Sequence, residues 1–563
     1  MPRFSAWMSG LLFLSFVVIT AADPSTNSED RSLSLLATAV DPPFAVNIPV
    51  TDGTSPFPYQ VEPYIVVDST GRLFVGWKEA ETNDGPGRRV GFAASEDGGL
   101  IWSANALMET QTSNRFQSDP WLVVDESDRV YFARLEFEEG LTGPFNGISV
   151  SGTDDGGASW GPIVNVDDQP GFADKESMVS DGNGTLYLAY DDVDLSSGDV
   201  NLRLTRSMDD GATWTPTTPV GNGPAGFAGP VIAARPNGTV YVAWWDFGGG
   251  NILVSRSWDR GATWGVPVQV NPTTGTASFI PAHRWWVPLP SIVADSQGRV
   301  YVAWPDQGFG DLDVVVARSD DDGASWSVPA RINDDARREQ RMVSLAIDTM
   351  DVLHAAWYDN RTGNLNVFYS NSTDGGGTWS TNARVTTAET SASFQRPGDY
   401  LGLAADENGT AYVVWTDGRE GDLDIYYARS RPLEGVDREA PSIEIFSPEE
   451  GQTFTSTEVR VNGTAQDNVA IDRVEISADN GTSWLRADGT ASWEGSLAVP
   501  LGEVEILARA LDTSGNAAMA SVGVSVTPPS FLSPETVFLI VLVVVIVPSV
   551  TILIWVLARR WRD

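Results

Sequence analysis

Short apolar stretches alternate with polar turns along most of the chain. A representative unit is SIVADSQGRVYVAW (291–304), in which an apolar strand, an Asp-x-x-Gly turn and a second strand ending in an aromatic residue follow one another. Apolar residues at every second position, with Gly, Asn and Asp at the turns, are typical of β-strands. The pattern therefore predicts an all-β protein.

This strand–turn–strand unit occurs seven times, at intervals of 53 to 60 residues. An octet with Ser or Thr, Asp, Gly and Trp at fixed spacing follows each of the first six copies. The octets are SEDGGLIW (95–102), TDDGGASW (153–160), SMDDGATW (207–214), SWDRGATW (257–264), SDDDGASW (319–326) and STDGGGTW (372–379). One strand before and one after each octet bring the unit to four strands, the composition of a β-propeller blade.

The seventh unit has three strands and no octet. The segment FAVNIPV (44–50) resembles the fourth strand of the other units, so we expect it to complete the last blade and close the ring. The sequence thus predicts a seven-bladed propeller over residues 41–432. The octets are predicted to be structural, because a catalytic site is one asymmetric constellation and these residues repeat: Asp97, Trp102, Asp155, Trp160, Asp209, Trp214, Asp259, Trp264, Asp321, Trp326, Asp374 and Trp379.

A second domain is predicted over residues 440–527, where about 90 residues of alternating strands and turns indicate a β-sandwich. A Pro-rich linker (528–536) leads to Val537–Ala558, an uncharged stretch of 22 residues. That length predicts a transmembrane helix, because about 20 apolar residues span a bilayer. Arginines dominate the tail (559–563) and place it on the cytoplasmic side.

The N-terminus predicts export. Arg3, the apolar run 11–19 and the small residues 20–22 form the pattern of a signal peptide (1–22), which a linker (23–40) follows. With the C-terminal helix, this predicts a single-pass protein of the cell membrane, whose N-terminal ectodomain lies outside the cell.

Composition excludes several classes of function. The chain has 563 residues, a formal net charge of −39, no cysteine and only two lysines, Lys78 and Lys175. So acidic a surface repels nucleic acid, and it is typical of halophilic proteins or of a genome that prefers arginine codons. Without cysteine, disulfides, thiolate nucleophiles and Cys-zinc sites are excluded. No motif specifies a cofactor, and a structural calcium ion stays open.

The octets resemble the Asp boxes, or BNR repeats, of the sialidase-like propellers, and the second domain resembles the bacterial Ig-like domains of surface proteins. The first resemblance covers the propeller only and is specific for the fold. It does not specify sialidase activity, since hydrolases and non-enzymatic receptors both carry Asp boxes. It implies a working face on the side away from the boxes.

The resemblance also suggests site residues. Sialidases hold the sugar carboxylate with three arginines and use a tyrosine nucleophile with an aspartic acid. Val61 stands where the first arginine is expected, and an apolar chain cannot replace a bidentate guanidinium. Tyr400 matches the place of the nucleophile, with Asp399 as the candidate acid. The candidates to bind an acidic group on working-face loops are Arg361, Arg396 and Arg419.

Two further loops are asymmetric. FIPAHRWWVPLP (279–290) carries His283, Arg284, Trp285 and Trp286, which suit stacking on sugars, gripping a peptide or plugging the central channel. GFADKES carries Lys175. By contrast, an acid recurs two positions after the end of each unit, where an aromatic residue stands in every unit except the second, which has Arg134. These acids could form a cation-attracting ring, but their repetition predicts that they cap the turns: Glu79, Glu136, Asp192, Asp246, Asp306, Asp359 and Asp417.

Two functions follow from this sequence. The first is a membrane-anchored propeller that binds glycans or envelope proteins, which the valine at position 61 and the stalk-and-anchor layout favour. The alternative is a surface exo-glycosidase of sialidase-like type with a tyrosine nucleophile, which requires two acting groups near the bond. A purely structural envelope role is a third interpretation.

Overall fold

The computed structural model describes residues 44, 46–82, 86–112, 115–138, 146–166, 171–220, 229–277, 288–389, 397–431, 440–468, 470–512, 517–527 and 547–560. These residues form 37 β-strands and one α-helix. All of them belong to Pro43–Asp563, one of the two compact units of the chain.

Seven four-stranded antiparallel sheets account for the described residues before position 432. Their strands are β1 (Ile48–Pro49), β2 (Tyr59–Val67), β3 (Leu73–Ala80), β4 (Gly87–Ser95), β5 (Ala106–Leu107), β6 (Arg115–Val124), β7 (Val130–Glu138), β8 (Gly147–Thr153), β9 (Val164–Asn165), β10 (Phe172–Ser180), β11 (Leu186–Val193), β12 (Val200–Ser207), β13 (Thr218–Pro219) and β14 (Val231–Ala234). They continue with β15 (Val240–Asp246), β16 (Asn251–Ser257), β17 (Val268–Gln269), β18 (Ser291–Ala294), β19 (Val300–Asp306), β20 (Asp313–Ser319), β21 (Ala330–Arg331), β22 (Gln340–Ile347), β23 (Leu353–Asp359), β24 (Asn366–Ser372), β25 (Ala383–Arg384), β26 (Gly402–Ala405), β27 (Ala411–Asp417) and β28 (Asp424–Arg429).

The sheets form a closed ring, so the predicted β-propeller is confirmed. Blades 1 to 6 each take four consecutive strands from β2 onwards, and blade 7 consists of β26, β27, β28 and β1. The innermost strands of successive blades contact one another, and β26 of blade 7 contacts β2 of blade 1. Ile48 pairs with Tyr427 and Pro49 with Tyr426. The N-terminal segment thus supplies the outer strand that blade 7 otherwise lacks.

The hydrophobic core lies between neighbouring blades. Every residue of β19 is buried, because both faces of a second strand contact another sheet. The indole N–H of Trp304 donates to Asp306 at 2.7 Å, and that of Trp415 donates to Asp417 at 2.8 Å. In blades 1, 5, 6 and 7 the acid two positions after the tryptophan therefore satisfies a buried indole donor.

Each octet closes the turn between the third and fourth strands of a blade. In blade 5, the Ser319 hydroxyl donates to Asp321 Oδ1 at 2.8 Å and accepts the Gly323 N–H at 2.7 Å. Asp321 also accepts the Ser325 hydroxyl at 2.6 Å. Hydrogen bonds from Ser325 and Ser319 lower the pKa of Asp321 to about 2. Related bonds recur in the boxes of Asp97, Asp155, Asp209, Asp259 and Asp374.

The two ends of a blade therefore differ. In blade 5, Ser319 of the octet pairs with Val300 at the start of β19, whereas Asp313 pairs with Asp306 at its end. The end with the octets is called the box face. The opposite end, where the second strands finish, is called the working face.

The second domain is a sandwich of two sheets, so the predicted Ig-like architecture is confirmed. One sheet has the order β29-β31-β35-β34 and the other β30-β37-β36-β32-β33. Val461, Ile476, Trp493 and Ile506 lie in the core between them. The strands are β29 (Ser442–Ser447), β30 (Gln452–Phe454), β31 (Glu458–Gln466), β32 (Ile471–Ser477), β33 (Leu485–Arg486), β34 (Asp488–Gly489), β35 (Ser492–Ala498), β36 (Gly502–Asp512) and β37 (Ala517–Val526).

The predicted transmembrane helix over Val537–Ala558 is wrong. The described helix, α1 (Val547–Arg560), has 14 residues. Across the described ranges, no helix combines the length and the apolar character that crossing a bilayer requires.

The predicted signal peptide and the linker after it lie outside the described residues, as do residues 528–546. Export and the location of the protein therefore stay predictions from the sequence.

Replacing Ser319 by Ala should destabilise the propeller, because its fully buried hydroxyl serves both Asp321 and the Gly323 N–H. A buried N–H without an acceptor costs about 1–3 kcal/mol. Denaturant titration of the purified chain measures the free energy of unfolding. Ser325→Ala removes an exposed hydroxyl from the same box and should cost less than about 1 kcal/mol. Equal losses in the two variants would contradict the role of the buried hydroxyl.

Candidate functional site

The innermost strands of blades 1, 2, 3 and 6 carry a bulge near the working face. The bulge of blade 6, between Arg341 and Ser344, holds the apolar Met342 with φ of 49°, whereas the other three hold charged residues. The pairing register shifts once in each of β2, β6 and β10. The residues at these shifts are Glu62, Asp119 and Lys175, with φ of 57°, 48° and 54°. Left-handed backbone is uncommon for residues with a side chain, and bulges often re-aim a side chain beside a functional site.

The charged side chains at the bulges meet across the central channel. Lys175 Nζ lies 2.9 Å from Asp119 Oδ2 in blade 2 and 2.7 Å from Asp399 Oδ2 in blade 7. Blades 3 and 7 are not neighbours in the ring, so such a contact is made at the axis. Lys78 Nζ lies 2.8 Å from Glu62 Oε1. Both lysines of the chain are thus held by carboxylates near the axis.

We call this group the axial cluster; its members are Glu62, Lys78, Asp119, Asp174, Lys175, Glu176, Asp399 and Tyr400. Five carboxyl groups face two ammonium groups, so acidic groups are in excess. The side chain of Lys175 is 13% exposed and that of Asp399 5%. Burial favours the neutral amine, but Asp119 and Asp399 outweigh it and raise the pKa of Lys175 well above its ordinary value.

The carboxyl groups of the axial cluster differ in acidity. Burial raises the pKa of Asp174 to about 7. Burial and the charge of Asp119 raise the pKa of Glu176 well above its usual range. Burial acts in the same direction on Asp119, but Lys175 and Lys78 outweigh it and hold the pKa of Asp119 below its ordinary value. The cluster therefore combines an ionised carboxylate with carboxyl groups that retain protons to higher pH.

Glu176 is buried in the cluster with only 3% of its surface exposed. Neither of its carboxyl oxygens has a hydrogen-bond partner within the part of the chain that the structure describes. A buried polar group without a partner is unfavourable.

Three half-buried aromatic side chains line the channel beside the axial cluster: Tyr64, Trp121 and Tyr400. The ring centroids of Tyr64 and Trp121 are 4.1 Å apart, and those of Trp121 and Tyr400 are 6.3 Å apart. The other five blades carry smaller residues at the register position of Tyr64 and Trp121, namely Ser177, Val231, Ser291, Ser344 and Gly402. Among the described residues at this register position, the aromatic side chains thus lie on the adjacent blades 1 and 2.

The hydroxyl group of Tyr400 donates to the carbonyl oxygen of Pro120 at 3.2 Å. Burial, followed by the charges of Glu62 and Asp119, raises the pKa of Tyr400 well above its ordinary value. These surroundings favour the neutral phenol, whereas a tyrosine nucleophile must lose its proton.

Of the residues predicted from the sequence, the structure brings Lys175, Asp399 and Tyr400 together at the axis. It places Arg361 and Arg419 elsewhere. Arg361 Nη2 lies 2.7 Å from Asp359 Oδ2, and Arg419 Nη2 lies 2.6 Å from Asp417 Oδ2. Each guanidinium is held by the acid at the end of its own second strand, so neither is available to bind a ligand without losing that partner.

The other predicted ligand-binding residues, Arg396, His283, Arg284, Trp285 and Trp286, lie outside the described residues. Val61 is fully buried and pairs with Lys78 across the sheet. In the described ranges, no group of three or more His, Cys, Asp and Glu side chains is placed to hold a metal ion.

Sequence reasoning missed five members of the axial cluster: Glu62, Lys78, Asp119, Asp174 and Glu176. A signal for some of them was present. Glu62, Asp119, Lys175 and Tyr400 each stand six residues before the Asp of their Asp-x-x-Gly or related turn. The chain has only two lysines, and each is next to an acid in the sequence: Lys78 precedes Glu79, and Lys175 lies between Asp174 and Glu176. This pattern also pointed to a cluster of charged residues.

Comparisons with known proteins support the architecture in part. Residues 441–517 match a family model described as a bacterial Ig domain. No curated protein matches the chain.

Solved structures that resemble the chain include two glycan-cleaving enzymes, a sialidase and an α-L-arabinofuranosidase. A Hadza microbial sialidase, Hz136, is 18% identical, with 53% of this chain and 63% of that chain covered and a TM-score of 0.39. A protein of unknown function from Dyadobacter fermentans is 14% identical; the match covers 69% of this chain and 98% of that protein, with a TM-score of 0.42. The α-L-arabinofuranosidase Arb93A from Fusarium graminearum is 12% identical; the match covers 70% of this chain and 100% of that enzyme, with a TM-score of 0.43. The chain thus spans less than two thirds of the sialidase Hz136, and likenesses this distant assign no activity.

Asp174→Asn should change how stability depends on pH. Since folding raises the pKa of Asp174 from 3.8 to about 7, the folded state keeps this proton longer than the unfolded state. The free energy of unfolding of the wild-type protein should therefore fall, relative to the variant, as the pH rises through this window. Urea titrations at several pH values measure the difference.

Asp119→Asn provides the opposite control. The pKa of Asp119 is lowered on folding, so its contribution to stability is present at neutral pH and lost as the pH falls. If both variants changed the pH dependence in the same direction, the assignment of the two carboxyl groups would be wrong.

Proposed function

We propose that the propeller binds a glycan at its working face, above the axial cluster. The observation that carries this proposal is the aromatic side of the channel, formed by Tyr64, Trp121 and Tyr400, beside the buried carboxyl group of Glu176. Aromatic rings stack on the apolar faces of sugars, and a few convergent polar groups fix the orientation of a ligand. The bulges, which occur in some blades only, give the site the asymmetry that a specific ligand requires.

The charges favour a neutral sugar at the axis. Five carboxyl groups surround Lys78 and Lys175, and both ammonium groups already have carboxylate partners. A ligand carboxylate would meet an excess of acidic groups there, while hydroxyl groups can donate to them. Arg361 and Arg419 are held by their own acids. We therefore propose neutral glycans, free or carried by envelope proteins, in preference to a sialic acid at this position.

Trp121→Ala should weaken glycan binding by about 1–2 kcal/mol, or about 5- to 30-fold, because it removes the central ring of the aromatic side. A glycan array followed by isothermal titration with the purified chain measures the affinity. Trp258→Ala is the matched control, since Trp258 belongs to an octet on the box face and is 60% exposed. Its affinity should equal that of the wild type. Equal binding by Trp121→Ala and wild type would reject the site.

A second candidate function is glycoside hydrolysis, which the unequal acidities of Asp119 and Asp174 favour. Neighbouring carboxyl groups with pKa values moved in opposite directions are the usual acid and base, or acid and nucleophile, of glycosidases. Asp174 would donate the proton and Asp119 would act as the carboxylate. A tyrosine nucleophile is less favoured, because the environment of Tyr400 keeps its proton in place.

Turnover of a panel of neutral glycosides and sialosides separates these mechanisms. If the carboxyl pair acts, Asp174→Asn should lower kcat at least about 100-fold, and activity should decline above pH 7 as Asp174 loses its proton. Tyr400→Phe, which keeps the ring, should retain turnover. Loss of turnover in Tyr400→Phe alone would instead support the tyrosine mechanism. No turnover of any glycoside would reject hydrolysis and leave the binding function.

A further inference from the structure

A pocket of about 820 Å³ lies between blades 1 and 2, away from the axis. Arg88 and Arg89, at the start of β4, and Arg115, at the start of β6, line it together with Phe57 and Phe116. The start of β4 pairs with the end of β3, so this pocket opens at the working face. Three guanidinium groups in one pocket are notable in a chain with a formal net charge of −39.

The arginines lie in the walls of the pocket and the carboxylates lie at its rim. Arg115 is 7% exposed, and Arg88 and Arg89 are half-buried, whereas Glu81 and Glu109 are exposed. Arg88 Nη2 lies 3.1 Å from Glu81 Oε2, and the Glu81 side chain is 60% exposed. Solvent screens such a pair, which makes it weak. The interior of the pocket is therefore positive.

Arg89 has hydrogen-bonding capacity left. Its Nη2 donates to the carbonyl oxygen of Met108. Its buried Nε–H has no hydrogen-bond partner in the described part of the chain, and no ion pair of Arg89 is found there. Oxyanions are the natural acceptors for a guanidinium, because the planar fork binds two oxygens at once.

A fourth arginine lies behind the pocket. Arg134 is fully buried, and its Nη2 donates to the carbonyl oxygen of Glu109 at 3.3 Å. Burial lowers the pKa of Arg134 to about 10; the charge of Glu136 opposes this shift, and the positive charge of Arg89 adds to it. Arg89 and Arg134 therefore repel each other, and an anion bound beside Arg89 would reduce that repulsion.

The pocket also has aromatic surface for a ring. The Cζ atom of Arg88 lies 4.5 Å from the ring centroid of Phe116. Phe57 also lines the pocket and is half-buried. A pocket with aromatic walls and guanidinium groups suits a ligand that joins an apolar ring face to an oxyanion.

We propose that this arginine pocket binds an acidic saccharide unit through its carboxylate or sulfate group. Arg115 of the pocket and Asp119 of the axial cluster are both on β6, four residues apart, or about 13 Å along an extended strand. One glycan chain can therefore occupy both sites, with a neutral unit at the axis and the acidic unit between blades 1 and 2. The sugar part of this inference rests on the proposed glycan-binding function, while the anion part rests on the pocket alone.

The test is a titration of the purified full chain with glucuronic acid, glucose 6-sulfate, glucose and inorganic sulfate at one ionic strength. At least one acidic sugar should bind about tenfold or more tightly than glucose, because charge-assisted hydrogen bonds are gained. Arg89→Gln should remove this preference. Arg88→Gln should weaken it and serves if Arg89→Gln does not fold. Arg337→Gln is the matched control, with its side chain 81% exposed.

Several outcomes would overturn the proposal: equal affinity for glucose and both acidic sugars, an unchanged preference in the Arg88 and Arg89 variants, or the same loss in Arg337→Gln. Binding of inorganic sulfate that depends on Arg89, without any gain from a sugar ring, would reject the saccharide and keep the anion site. Because Trp121→Ala should leave the affinity for the acidic monosaccharides unchanged, failure of the axial site and failure of the arginine pocket are distinguishable.

Discussion

The contact of Lys175 with Asp119 and Asp399 is the interaction on which the centre of this molecule depends. A buried ammonium group is tolerated only when carboxylates pair with it, and here the partners come from blades 2 and 7. The contact therefore requires a closed ring with its inner strands at a fixed distance from the axis. It also influences the acidity of its neighbours. The charge of Lys175 helps to lower the pKa of Asp119, whereas burial is the main cause of the raised pKa values of Asp174 and Glu176.

The two ends of each blade divide stability from recognition. At the box face, six similar turns are closed by hydrogen bonds to an Asp, and each bond is local to one blade. At the working face, the blades differ: three carry bulges with charged residues, two carry large aromatic residues beyond the bulge, and one contributes Tyr400. Repetition gives the fold its stability, and departures from the repeat create the asymmetric surface on which the two proposed glycan sites lie.

The axial cluster and the arginine pocket have opposite electrostatic character on one face. The cluster has an excess of carboxyl groups, and the pocket has three guanidinium groups in its walls. In a chain as acidic as this one, long-range attraction of an acidic glycan is not expected. Recognition of an anion would instead depend on short-range, charge-assisted hydrogen bonds inside the pocket, which salt screens less than surface charge.

The sequence by itself determined the strands, the repeat and the structural role expected of the octets, because period-two alternation and turn residues act within a few positions. It also predicted that Lys175, Asp399 and Tyr400 matter, although not why. Only the tertiary structure decided that Lys175 meets Asp399, since residues 224 positions apart become neighbours when the inner strands converge. It also decided that Arg361 and Arg419 are held by nearby acids. For Val537–Ala558, apolar composition suggested a spanning helix, whereas the described part of the chain holds no helix that is long and apolar enough to cross a bilayer.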